Sequence, residues 1–212
     1  MNVENPNKAF DNRVFINCPF DSAYTEIFRA NIYTIIACGF RPVSALENND
    51  GGTRLDKLLR LIKSCKYSIH DVSMVELDKD SNLPRFNMPF ELGIDIGCRK
   101  YGEKALQKKS FLIFESSTHQ LGIYLSDLAG TDPVCHITKP INVIKETRNW
   151  LNNAVSESNE FRLHGEQKIA ESYDLFCKKL PAMCEIAHVD LASPPYRDLL
   201  HIMREFINKA LN

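Results

Sequence analysis

The segment Arg85-Phe86-Asn87-Met88-Pro89-Phe90-Glu91-Leu92-Gly93 brings an arginine, an amide and a carboxylate close together in the chain. Such a set can bind a polar ligand and hold a negative charge against a developing positive one. Pro89 suits the first turn of a helix, where its missing N–H is not needed. Glu91 is then expected in that first turn, where the positive helix end favours a carboxylate by about 0.3–1 kcal/mol. That local role would account for the residue without any ligand. Three features argue for more. The segment follows a strand, at the sheet edge where α/β folds bind ligands. Arg85 and Asn87 precede the glutamate closely. Gly93 and Gly97 remove side-chain bulk one helical turn apart, which would let another backbone or a ligand approach. Asp95 stands four residues after Glu91, so both fall on one helical face. Two neighbouring carboxylates could raise one pKa, although a solvated helix residue is the plainer reading of Asp95.

Two further segments belong beside this one. Asn17-Cys18-Pro19-Phe20-Asp21 closes a strand and opens a helix, so its backbone amides could receive a phosphate or carboxylate. The alternative is a capped turn with Phe20 in the core. Asp71 and Ser73 end another strand and are expected to face the same crevice, with a turn cap as the simpler role for Asp71. Cys18 reads better as a small buried hydrophobe than as a reactive thiol. Lys104, Lys108 and Lys109 read as a solvated helix end.

The elements that must position these residues alternate. RVFINCPF (13–20), RPVSALE (41–47), YSIHDVS (67–73), KSFLIFE (109–115) and PVCHIT (133–138) read as strands, rich in β-formers and bounded by turn residues. Helices are expected over about 22–38, 54–64, 89–101 and 140–153, with the turn-rich loop ENNDGGT (47–53) between the second strand and its helix. The alternation predicts an α/β fold: a flavodoxin-like, doubly wound, mainly parallel five-stranded sheet over residues 13–153. The strands are apolar nearly throughout, as strands covered on both faces should be. Residues 1–12 read as a loose polar leader. Residues 154–212 read as a helical extension that opens on the polar break SESNE (156–160). It contains one helix over 165–180 ended by Pro181 and a last helix capped by Ser193 with Pro194 at its first position. The apolar stripe of that last helix (Tyr196, Leu199, Leu200, Met203, Phe206, Ile207, Ala210) either packs back on the domain or mediates self-association.

Composition excludes several classes. The chain of 212 residues carries 26 basic and 27 acidic side chains, a net charge of −1, so no bulk field draws a nucleic acid. No apolar run reaches the roughly 18–20 residues of a membrane span, and the polar start MNVENPNKAF has no secretory signature. Seven cysteines without a CxxC argue against a disulfide framework or a four-cysteine zinc site and for a cytoplasmic setting. Cys177, Cys184 and His188 are too loosely spaced to predict a metal centre. There is no GxGxxG and no P-loop, so no cofactor is expected.

The run R-F-N-M-P-F-E-L-G resembles the R-x-N-x-x-F-E-L-G signature of bacterial TIR-like nucleotide-binding proteins. These are related to TIR domains and, more distantly, to nucleoside 2-deoxyribosyltransferases. RVFINCPFD (13–21) looks like the opening strand and loop of that group, and SIHDVSMVELD (68–78) like its third strand; the resemblance covers about residues 13–140. It implies Glu91 as the catalytic carboxylate, with Arg85 and Asn87 shaping the pocket. The first loop departs from the pattern, with Cys18-Pro19-Phe20 where many TIR domains carry a serine and aromatics.

The implied reaction is cleavage of an N-glycosidic bond, which passes through an oxocarbenium-like ribose that a carboxylate can stabilise or attack. The implied substrate is NAD or a related nucleotide, NAD being consumed rather than cycled as a cofactor. Nicotinamide departs neutral and needs no strong general acid. A deoxynucleoside base does need a proton, for which Asp71, Asp95 or His70 are candidates. Asn17, Pro19, Phe20, Asp21, Asp71, Ser73, Arg85, Asn87 and Asp95 are the expected substrate contacts, with Phe20 stacking on a base or nicotinamide ring. Homo-oligomerisation, an activating partner protein and a place in anti-phage defence are further implications of the resemblance. A deoxyribosyltransferase-like enzyme and a nucleotide-sensing module without turnover remain the two alternatives.

Overall fold

The computed structural model describes residues 6–47, 51–74, 82–155 and 163–211. Five strands, β1 (Arg13–Asn17), β2 (Arg41–Ser44), β3 (Tyr67–Asp71), β4 (Ser110–Glu115) and β5 (Val134–Cys135), form one sheet. Every pairing is parallel and the order is β2-β1-β3-β4-β5. This is the strand order of the doubly wound flavodoxin-like sheet, whose winding reverses between β1 and β3.

Successive strand residues serve opposite faces. Val14, Ile16, Tyr67, Ile69, Leu112 and Phe114 join a core with α2 (Thr25–Ala37), α6 (Pro140–Ala154), α7 (Glu166–Ile186) and α8 (Tyr196–Ala210). Phe15 and Val43 instead meet Leu58, Leu61 and Ile62 of α3 (Arg54–Lys63) and Ile94 and Cys98 of α4 (Asn87–Tyr101). Ile113 and Val72 pack on Leu92 of α4 and on Leu121, which opens the one-turn α5 (Leu121–Tyr124). Apolar residues on both faces explain why the strands show no polar alternation. The connection from α2 to β2 is fixed by Gly39 at φ +79°: the Gly39 and Phe40 amides donate to Ile36 and Ile35 carbonyls at 2.8 and 3.0 Å. This is a Schellman ending that a glycine adopts without strain.

Several boundaries differ from the sequence expectation. Residues 6–11 form a short helix, α1 (Pro6–Asp11), in place of the expected loose leader; residues 1–5 lie outside the described residues, as do 48–50 of the ENNDGGT loop, 75–81 and 156–162, which include the polar break at 156–160. β1 stops at Asn17, β2 at Ser44 and β3 at Asp71, and β5 has two residues. α4 begins at Asn87, two residues before Pro89, so Glu91 is its fifth residue and lies beyond the first turn. α7 runs through Pro181 to Ile186. The proline forfeits one N–H, but the flanking Leu180 and Cys184 are both buried in the core, and that burial holds the helix together across it. α8 starts at Tyr196, after Pro195.

The apolar stripe of α8 is buried in the same core as α2 and α7, from Tyr196 through Ile207. That stripe packs on the domain. No helix among the described residues is long and apolar enough to cross a membrane.

Candidate functional site

A cleft of about 350 Å³ opens at the carboxyl edge of the sheet, beside the reversal between β1 and β3. β1 and the loop after it contribute Ile16 to Asp21 as one wall. Ala45, just beyond β2, and Arg54, the first residue of α3, form a second wall. Arg85, Asn87, Met88 and Glu91 complete it from the start of α4.

Glu91 is 5% exposed, and among the described residues no hydrogen bond reaches its carboxylate. Burial raises its pKa from 4.5 to about 7, and the nearby Arg54 guanidinium offsets only part of that rise. Since Glu91 lies beyond the first turn of its helix, helix-end stabilisation does not account for it.

Arg85 grips Asp21 with both terminal nitrogens, Nη2 donating to Oδ1 at 2.9 Å and Nη1 to Oδ2. This bidentate pair ties the first loop to the lead into α4 and closes one side of the cleft. Asp21 does not cap the short 3₁₀ turn after it with its side chain. Phe20 is not a core residue either. It is 43% exposed and meets Phe28 edge-on at 5.6 Å, between this cleft and a second one of about 360 Å³. The second cleft shares Pro19, Phe20 and Asp21 and is otherwise lined mainly by Tyr24, Phe28, Leu46, Pro194 and Leu199, with Arg29.

Asn17 forms the floor. Its Nδ2 donates to the Met88 carbonyl at 2.9 Å and lies 3.0 Å from His70 Nδ1. The Met88 oxygen can only accept, so the amide orientation is set and His70 Nδ1 accepts as well. His70 Nε2 then donates to Asp95 Oδ2 at 3.0 Å. Asp95 Oδ1 is 3.2 Å from the Lys109 ammonium, which also donates to the Ile62 carbonyl at 2.9 Å and to the Cys65 carbonyl. With both amide hydrogens of Asn17 used, Oδ1 is the atom it can offer a ligand.

The structure therefore divides the expected site residues. Asn17, Pro19, Phe20, Asp21, Arg85, Asn87 and Glu91 line the cleft. Asp71, Ser73 and Asp95 do not. Asp95 is fully buried; desolvation pushes its pKa up, but His70 and Lys109 outweigh this and hold it below the usual value. Asp71 accepts from the Ser73 amide at 2.9 Å and from the Tyr24 hydroxyl, and lies 3.0 Å from His136 Nε2. It thus caps a turn inside the α2–α6 face, opposite the cleft. His70 and Asp71 are neighbours on a strand, and the two-residue period sends them to opposite sides. Cys18 borders the cleft but is buried. Desolvation, then Asp71 and Glu91, push its thiol well above the ordinary range, so it stays protonated and weakly nucleophilic. No close approach occurs at Gly93 or Gly97, where an added Cβ would meet nothing within 4 Å.

Sequence reasoning missed Arg54, Ala45 and Met88 as wall residues. Arg54 was accessible, because every loop that follows a strand of such a sheet opens on the ligand edge. Lys109 was placed on a solvated helix end and is 3% exposed. Among the described residues, no group of three or more His, Cys, Asp or Glu side chains is arranged to hold a metal ion. A scan against protein-family models, a search of curated proteins and a search of solved structures each found no match.

Proposed function

We propose that the chain cleaves the N-glycosidic bond of NAD or a related nucleotide, with the Glu91 carboxylate beside the anomeric carbon. The observation that carries this reading is a buried carboxylate, hydrogen-bonded to none of the described residues, that lines a cleft at the reversal of a doubly wound sheet. A negative charge held there without competing hydrogen bonds is preorganised for an oxocarbenium-like ribose. The resemblance of R-F-N-M-P-F-E-L-G to TIR-like proteins supports the same residue and extends the proposal to a role in anti-phage defence.

The cleft also favours a substrate whose leaving group departs neutral. Its other carboxylate, Asp21, is engaged by Arg85, while Asp71 and Asp95 are held in the interior. Among the described residues no second acid stands ready to protonate a departing base, which suits nicotinamide better than a deoxynucleoside base. Arg54, at the start of α3, lines the cleft and would serve as a phosphate contact, and two neighbouring cavities that share Phe20 support a ligand with two halves, such as a dinucleotide.

The test is incubation with NAD over a range of protein concentrations, with mass detection of nicotinamide and ADP-ribose products. Release that falls about 10²–10³-fold in Glu91→Gln is expected, the usual loss for one preorganised electrostatic group. Base exchange between deoxynucleosides without NAD loss would replace this reading with the transferase one. Tight nucleotide binding with no product at any concentration would replace it with a sensor.

A further inference from the structure

A third cavity, of about 400 Å³, lies between the start of α8 and the two ends of β2, away from Glu91. Among the described residues its charged lining is Arg41, Arg197 and Arg204, with Glu47 the one acid. Among the described residues none of the three guanidinium groups has a hydrogen-bonded or ion-paired side-chain partner. Tyr196 is 7% exposed; its ring stacks on Phe28 at 6.2 Å, and its buried hydroxyl has no partner. A shielded, unpaired hydroxyl costs free energy that an incoming oxygen would relieve. The first two residues of α8, Tyr196 and Arg197, both border the cavity, and the helix start carries no side-chain cap, so its positive end adds to the arginines.

From this convergence we infer that the cavity is a second ligand site, specific for a phosphate chain such as that of a nucleoside di- or triphosphate. Three guanidinium groups suit several phosphate oxygens, since their planar forks make paired hydrogen bonds. Burial, and then Glu47, push the Tyr196 pKa upward, so this hydroxyl keeps its proton and donates. With a whole-chain charge of −1 the attraction is local rather than diffuse. Leu200 supplies an apolar side. The site also bears on the first cleft, because the turn after β2 puts Ala45 in one wall and Glu47 in the other. The Lys57 ammonium clamps that turn, donating to the Ala45 carbonyl at 2.8 Å and to the Glu47 carbonyl.

Calorimetric titration of the intact chain with inorganic pyrophosphate, ATP and adenosine tests the inference. Saturable binding of pyrophosphate and ATP is expected, and none of adenosine. Affinity should fall about tenfold or more in Arg41→Gln and in Arg204→Gln, as for loss of a charge-assisted contact. A smaller loss is expected in Tyr196→Phe, which keeps the ring packing. The two arginines are exposed, so their replacement leaves the core intact. ATP binding more tightly than pyrophosphate identifies a nucleotide; equal affinities identify the phosphate chain alone. The inference is overturned if neither compound saturates, or if binding survives both arginine replacements. It is also overturned if binding is lost on Arg54→Gln instead, which would place the phosphate in the Glu91 cleft. The outcome is independent of whether NAD is cleaved.

Discussion

Desolvation moves the Glu91 pKa from 4.5 to about 7 because the cleft wall takes water from the carboxylate and, among the described residues, gives back no hydrogen bond. The shift is also a statement about stability. Between pH 4.5 and about 7 the folded chain keeps a proton that the unfolded chain has released. Stability therefore falls as pH rises through that window and stays reduced above it. A shift of this size is worth on the order of 3 kcal/mol. Glu91→Gln removes the buried charge, so its melting temperature should exceed that of the parent at about pH 8, with the gain shrinking to nothing below about pH 4.5. Thermal unfolding of both proteins across that range checks it; a gain that does not change with pH would mean that the carboxylate is well solvated. Glu91 was legible from its motif. Asp71 and Asp95 are also acidic, yet the side chains that hold them, Tyr24 and His70, come from 47 and 25 residues away. No local pattern reports such pairings.

At the scale of elements, Lys109 holds the cleft's support together. It stands just before β4, binds the last carbonyls of α3 at Ile62 and beyond it at Cys65, and faces Asp95 on α4. A cation at a helix carboxyl end is favoured, and here it also balances a fully buried acid. Lys109→Met should cost about 3–5 kcal/mol in denaturant unfolding, since it removes the one cation facing the buried Asp95 among the described residues and leaves it only the His70 hydrogen bond. Adding Asp95→Asn should restore part of the loss, because the stranded charge is then gone. A loss below about 1 kcal/mol in the single variant would show that water reaches the pair. The KKS run at 108–110 looks the same whether its lysines are solvated or buried, so this element-level pin could not be read from sequence. The start of α4 was misplaced for a related reason. Proline is tolerated anywhere in the first turn, so Pro89 marks a helix start only to within a few residues, and that margin decides whether Glu91 serves its own helix or the cleft.

Across the whole molecule, the five-stranded parallel architecture was legible because its signal is the alternation of long elements. The strand order 2-1-3-4-5 places the reversal beside the cleft that Asn17 and Glu91 both line, and it also determines which loops see the ligand edge. What alternation does not carry is where the last helices go. α7 and α8 bury their apolar stripes against α2, making one core rather than an appended module. That packing sets Tyr196 beside Phe28 and creates both the cavity at Arg41 and the cleft behind Phe20. The most direct test of the account is the pH dependence of nicotinamide release from NAD by the intact protein, read as kcat/KM from about pH 5 to about pH 9. Under the proposed reading the ionised Glu91 carboxylate would be the active form, so release should rise with pH through a midpoint near 7 and then level off, with Glu91→Gln near baseline throughout. A profile flat across the range, or release undiminished in Glu91→Gln, would contradict it.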